Sequence, residues 1–188
     1  LYAAAGADGL APGSLYTVNS DTGDLTWVGA SGFGEINGLS FRADGSLWGW
    51  ATDVGLIQLD PQTGHGTVVR AATGTIEDLS WDNEGVMLYA VAANQLWAFN
   101  SQTQWVSQLS CTLPSGKLEA LEMLPEGDLL LAIHQDRAVS LHALSLSDCT
   151  VVSVDLPVGL GDTKLNDIEG LAWASSVCPF VSPHFGDY

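Results

Sequence analysis

The sequence predicts an all-β fold, a four-bladed β-propeller made of four-stranded antiparallel blades. Three observations carry that prediction. A short apolar-polar segment recurs four times along the chain, an acidic-Gly turn follows its first three copies, and every segment between turns alternates with period two. No stretch keeps a helical period.

The recurring segment is Ile36-Asn37-Gly38-Leu39-Ser40-Phe41, repeated as Ile76-Glu77-Asp78-Leu79-Ser80-Trp81, Leu118-Glu119-Ala120-Leu121-Glu122-Met123 and Ile168-Glu169-Gly170-Leu171-Ala172-Trp173, at spacings of 40, 42 and 50 residues. It is read as strand a, the innermost of each blade. Asp44-Gly45, Glu84-Gly85 and Glu126-Gly127 then supply tight hairpins. Strand b follows as Leu47-Trp48-Gly49-Trp50-Ala51, Leu88-Tyr89-Ala90-Val91-Ala92 and Leu130-Leu131-Ala132-Ile133-His134, and the first five residues of the chain match it. Strand c runs through Leu15 to Val18, Leu56 to Leu59, Leu96 to Phe99 and Leu141 to Leu144. The next turns begin with Asn19, Asp60 and Asn100, and the fourth reads as shortened to Ser147-Asp148. Strand d spans Leu25 to Gly29, Thr67 to Arg70, Trp105 to Leu109 and Thr150 to Leu156.

Four short strands per repeat of about 40 residues, with Gly and aromatic punctuation, are the mark of a propeller blade. The chain begins at strand b of one blade and supplies the matching a strand at Ile168 to Trp173. Pairing of that strand with the N-terminal blade would close the ring and cover its edges. Residues 1–173 are therefore expected to form the propeller and residues 174–188 a C-terminal tail. The alternative is a portion of a longer propeller. The opening at Leu1, directly into a strand, suggests a processed or excised chain.

With 22 acidic and 5 basic side chains in 188 residues, the net charge is −17, which leaves no basic stripe for nucleic acid and disfavours anionic membranes. No apolar run reaches the roughly 20 residues of a membrane helix. The 46% apolar fraction excludes disorder, and a chain of this length can bury a sizeable core. Few charges, low pI and many small polar residues favour a secreted or cell-surface protein.

The repeats resemble secreted bacterial β-propellers whose blades combine an acidic-Gly hairpin with an Asp-Pro-x-Thr-Gly turn. Leu39-Ser40-Phe41-Arg42-Ala43-Asp44-Gly45-Ser46-Leu47-Trp48 and Leu59-Asp60-Pro61-Gln62-Thr63-Gly64 carry the likeness, which covers residues 1–173. It implies an architecture rather than an activity.

One constellation could carry chemistry. The second position of strand a holds Asn37, Glu77, Glu119 and Glu169 while the preceding residue stays apolar. Equivalent positions on the innermost strands would ring the central channel. Converging carboxylates repel one another, and an all-oxygen set suits Ca²⁺, so a structural calcium ion is expected there. The ring also resembles the Glu and Asn channel ligands of calcium-dependent lactonase and phytase-like propellers, with Ile168-Glu169-Gly170-Leu171 matching their segment in full.

Other candidates are weaker. His65, His134, His142 and His184 share no ligand spacing, and no Gly-x-Ser-x-Gly elbow, phosphate loop or zinc-protease motif occurs. Trp48, Trp50, Trp81, Trp97 and Trp173 read as core, whereas Trp27 and Trp105, on outer strands, suit an exposed partner face. Strand direction places Cys111 near one face of the ring and Cys149 and Cys178 near the other. Cys111 is expected to stay unpaired and Cys149–Cys178 is the one intrachain bridge considered, a Cys111–Cys149 link being incompatible with this strand order.

The function expected is a non-catalytic extracellular module for binding, adhesion or subunit assembly, with protein, glycan or its own copies as partners. The alternative is a metal-dependent lactonase- or phosphoesterase-like hydrolase at the channel mouth, with Asp78 and Glu122 as candidate acids.

Overall fold

A computed structural model of the chain describes residues 1–9, 11–135, 138–154 and 171. The described residues form fifteen strands in four antiparallel sheets, arranged as the blades of a four-bladed β-propeller. The first blade holds β1 (Tyr2–Ala4), β2 (Ser14–Val18) and β3 (Leu25–Ala30). The second holds β4 (Ile36–Phe41), β5 (Leu47–Ala51), β6 (Gly55–Leu59) and β7 (Gly66–Ala71). The third holds β8 (Asp78–Trp81), β9 (Met87–Ala92), β10 (Gln95–Asn100) and β11 (Val106–Gln108), and the fourth β12 (Lys117–Met123), β13 (Leu129–Gln135), β14 (Ala138–Leu144) and β15 (Val151–Val154). Each sheet follows chain order from axis to rim, as the repeat predicts. The closing strand expected at Ile168–Trp173 lies outside the described residues apart from Leu171, which packs partly buried against Ala120, Ala132 and Val139.

The core is divided into layers between blades. Alternation sends one face of each sheet toward the blade before it and the other toward the blade after it, so both must be apolar. Leu15, Ile36, Leu47, Ile57 and Leu59 fill the first junction. Trp48, Trp50, Leu56, Leu79, Trp81 and Leu88 fill the second, with the Trp48 and Trp81 rings edge-on at 5.3 Å. Val91, Leu96, Leu121, Leu129, Leu131 and Leu144 fill the third. Trp48, Trp50 and Trp81 are thus core, as their strand positions suggest, whereas Trp97 is only partly buried.

The turns between the third and fourth strands are alike in all four blades. In each, the fifth residue donates its N–H to the carbonyl of the first: Gly23 to Asn19, Gly64 to Asp60, Gln104 to Asn100 and Cys149 to Ser145, at 2.8–3.0 Å. That fifth residue always has positive φ, between +61° and +76°. The fourth turn is therefore full length, from Ser145 to Thr150, rather than shortened. Its sequence hides this because Ser145 and Cys149 stand where the other turns have Asn or Asp and Gly or Gln.

The disulfide overturns the cysteine expectation. Cys111 is bonded to Cys149 with Cα atoms 5.2 Å apart, so Cys111 is paired and a Cys149–Cys178 bridge is excluded in this structure; Cys178 lies outside the described residues. The strand order nevertheless stands. Adjacent strands rotate by roughly 20–25°, so the outermost strand of a blade lies steeply across the innermost. Its exit end leans onto the next blade's turn, and a face assignment valid at the axis fails at the rim. The first junction has the same contact without sulfur. A Cβ on Gly29 would lie 1.9 Å from the Thr63 carbonyl oxygen, and Gly66 donates its N–H to the Ser31 carbonyl at 2.9 Å.

Candidate functional site

The inner strands bring the expected ring residues to a shared level but give them different partners. Both strands carry a β-bulge, but at different positions: in β4 the unpaired residue is Gly38, next to Asn37, which pairs with Trp50, whereas in β12 it is Glu119 itself, between Leu118 and Ala120. A bulge takes its residue out of strict alternation and re-aims the side chain. The Asn37 amide donates from Nδ2 to the Ile76 carbonyl at 3.1 Å and to Thr52 Oγ1 at 3.3 Å, crossing from the second blade to the third. Glu77, next in the chain, is partly buried, and its backbone N–H donates to the Val91 carbonyl.

Glu119 is 6% exposed and held within its own blade. Lys117 Nζ lies 3.0 Å from its Oε1 and His134 Nδ1 3.6 Å from its Oε2. The Lys117 ammonium supplies the counter-charge that burial of a carboxylate needs. Any cation at this ring would share Glu119 with the Lys117 ammonium, so the donor set fits a divalent ion less well than four free oxygens would. Among the described residues, no three or more His, Cys, Asp or Glu side chains lie close enough together to hold a metal. Glu169 lies outside them.

The third junction is braced by Asp78, nominated above only as a candidate acid. It is 2% exposed, and its Oδ1 accepts the Leu79 N–H at 2.8 Å while Oδ2 accepts the Leu121 N–H at 2.9 Å. Burial pushes its carboxyl up to about 8, against the two N–H bonds that favour the ionised form. Room for this carboxylate comes from Gly38 on the preceding blade, where a Cβ would stand 2.6 Å from Asp78 Oδ1. Two residues further along, Ser40 Oγ accepts the Trp81 N–H at 3.0 Å and Ser80 Oγ accepts the Met123 N–H at 3.0 Å. Ser80 also donates to Glu122 Oε2 at 3.1 Å. The polar positions of the inner strands therefore stitch blade to blade around the axis. Sequence reasoning missed this role, although small or acidic residues recurring two and four positions after the strand's apolar start were its signal.

Toward the ends of the inner strands, a cleft of about 520 Å³ is lined by Ser40, Phe41, Ser80, Trp81, Glu122 and Pro125, among others. Arg42 closes one side, its guanidinium 5.0 Å from the Trp81 ring centre and its Nε donating to the Gly85 carbonyl at 2.7 Å. Glu122 faces this cleft while engaged with Ser80.

The rim has a different character. Trp27 is 60% exposed and Trp105 71%, and Leu25, Val68, Val69, Val106, Val152 and Val154 are exposed with them. These residues lie on or beside the outermost strand of every described blade. Trp27 and Trp105 thus have the exposure expected of a partner face.

No protein-family model matches the chain, and no curated protein matches it in sequence. Among solved structures, it is similar to TolB from Acinetobacter baumannii, at 14% identity and TM-score 0.57, over 83% of this chain and 41% of that one. It is also similar to a protein of unknown function from Bacteroides thetaiotaomicron, at 11% identity and TM-score 0.57, over 74% of this chain and 41% of that one. A chain of a nidogen/laminin complex matches at 10% identity and TM-score 0.56, over 76% of this chain and 58% of its own length. This chain therefore spans about two fifths to three fifths of these relatives. Identities this low concern the propeller fold alone.

Proposed function

We propose that the chain is a non-catalytic extracellular propeller module that binds a protein partner through its rim. The observation that carries this reading is the exposure of apolar side chains on the outer strands of all four blades, led by Trp27 and Trp105. Large aromatics are the commonest anchors of protein interfaces. Outer strands also offer unpaired backbone groups to a partner strand. The net charge of −17 favours a basic partner over a second copy of the chain, which would meet like charge. The Cys111–Cys149 disulfide supports an oxidising compartment. The appearance of a propeller chain within a nidogen/laminin complex supports a protein partner for this architecture.

The test is affinity capture from culture medium and cell-surface extract. Wild type is compared with Trp27→Ser and Trp105→Ser, followed by titration of each captured protein in purified form. A basic protein bound at least tenfold more weakly by either variant is the expected result. Partners whose affinity ignores both substitutions would refute the rim reading. Lactonase and phosphomonoesterase assays with calcium address the alternative: turnover abolished by Glu122→Gln would replace the binding reading with the hydrolase one.

A structural Ca²⁺ bound by Asn37, Glu77, Glu119 and Glu169 remains a finer part of the proposal. It requires millimolar calcium to raise the melting temperature, and Glu77→Gln to reduce that rise. Identical melting in chelator and in calcium would remove it.

A further inference from the structure

The second blade junction leaves a space that its core residues do not fill. On one side stand Trp50 and Leu56; on the other, the third blade presents Ala90, Ala92 and Ala98 where larger side chains would meet them. The result is an apolar cleft of about 320 Å³, bordered by the loop that ends at Ile76 and by Trp97 and Phe99. Small-molecule sites typically have this size and lining.

One charged group attends it. Arg70 stands at the cleft, exposed, with its guanidinium 5.3 Å from the Phe99 ring centre. Among the described residues, Arg42 is paired with Asp44 at 3.4 Å and Lys117 with Glu119 at 3.0 Å, whereas Arg70 has no carboxylate within ion-pair distance. Among the described residues, a cation without a carboxylate partner is conspicuous in a chain of charge −17. A guanidinium stacked on an aromatic ring is held in place and offers its N–H fork to an anion, most favourably a carboxylate taken bidentately.

We propose that this cleft is a binding site for a small monocarboxylate with an apolar body, the body buried between the second and third blades and the carboxylate on Arg70. The volume sets the size. A methylene takes about the 30 Å³ share of a liquid water, so the cleft holds a body of about ten such groups. The site meets the rim at Arg70 on β7 and Val106 on β11 but includes neither Trp27 nor Trp105 nor any of the four ring residues, so its test is separate from those of the rim anchors and the ring.

The experiment titrates the full chain with decanoate, decanol and decylamine, each below its aggregation limit, read by calorimetry and by the fluorescence of the cleft tryptophans. Decanoate is expected to bind saturably with one site and at least tenfold more tightly than decanol, with decylamine weakest. Arg70→Gln, a change at an exposed position, should bring decanoate down to the affinity of decanol. Ala92→Leu, which places bulk in the cleft, should weaken decanoate and decanol alike. Where Ala92→Leu disturbs folding, protection of Trp97 fluorescence from acrylamide by decanoate replaces it. Equal affinity for decanoate and decanol, decanoate binding unchanged in Arg70→Gln, or absence of saturation at millimolar ligand would overturn the proposal.

Discussion

Removing the Cys111–Cys149 bridge tests the junction between the third and fourth blades most directly. The bridge spans 38 residues of sequence. On the chain-entropy account, restricting a loop of that size in the unfolded state stabilises the fold by roughly 4 kcal/mol. Unfolding entropy of about 2.1 cal/mol/K per residue gives about 0.4 kcal/mol per degree for a chain of this length, so the loss corresponds to a fall of about 10 °C in melting temperature. Calorimetric melts of the oxidised chain, the reduced chain and the double variant Cys111→Ser, Cys149→Ser should show it. A companion variant separates the bond from the turn. Cys149 sits at φ +62°, in the position that Gly23 and Gly64 occupy in the first two blades. Cys111→Ser with Cys149→Gly should therefore recover on the order of 0.5–1 kcal/mol, about 2 °C, over the double serine variant. Equal melting of oxidised and reduced chains would refute the argument that the bridge constrains the unfolded state.

Two further perturbations probe the inner strands. Because the folded carboxyl of Asp78 titrates at about 8 against an ordinary 3.8, its contribution to stability is fully present below about pH 4 and is lost as pH rises through 8. Urea unfolding at pH 5 and pH 8 should show wild type losing several kcal/mol more than Asp78→Asn over that window, and parallel losses would sink the assignment. Gly38→Ala would force a Cβ to 2.6 Å from Asp78 Oδ1 at a φ of +61° and should cost about 2–4 kcal/mol, whereas Gly34→Ala, with nothing within 4 Å, should change stability by less than about 0.5 kcal/mol.

The repeat made most of the fold legible. Strand order, hairpin positions and the buried Trp48, Trp50 and Trp81 all follow from period-two segments punctuated by turns, because alternation and turn chemistry act locally. The candidate site was legible only as a position. Alternation assigns Asn37 and Glu119 to one face, but a bulge falls on Glu119 itself and, in β4, on Gly38 one residue after Asn37, and no local pattern announces the bulge at Glu119. Nor could spacing show that Lys117 and His134 would converge on Glu119, since pairing with His134 depends on the register of two strands. The disulfide was misread for a longer-range reason. Sheet twist accumulates over a whole blade, and a two-face description of strand ends carries no term for it.

The blades are near copies, but the junctions between them are not, and that asymmetry bears on where function can reside. The first junction uses close backbone approach at Gly29 and Gly64 and the Tyr2 hydroxyl, which donates to the Pro61 carbonyl at 3.3 Å. The third adds Asp78, Ser80, the disulfide, and Asn94, whose amide donates to the Gly116 carbonyl at 2.9 Å. In the second, Asn37, Ser40 and Arg42 make the polar links near the axis. Farther out, its third-blade side falls away to alanine. In stacked repeats, stability is approximately a sum of units and nearest-neighbour interfaces. A junction held strongly near the axis can therefore leave apolar space toward its periphery without endangering the others. The cleft beside Arg70 lies at that junction. Filling it with Ala92→Leu should weaken ligand binding while leaving the disulfide-linked third junction intact, and persistence of the Asp78-dependent pH response in that variant is the measurement that would show the two junctions acting separately.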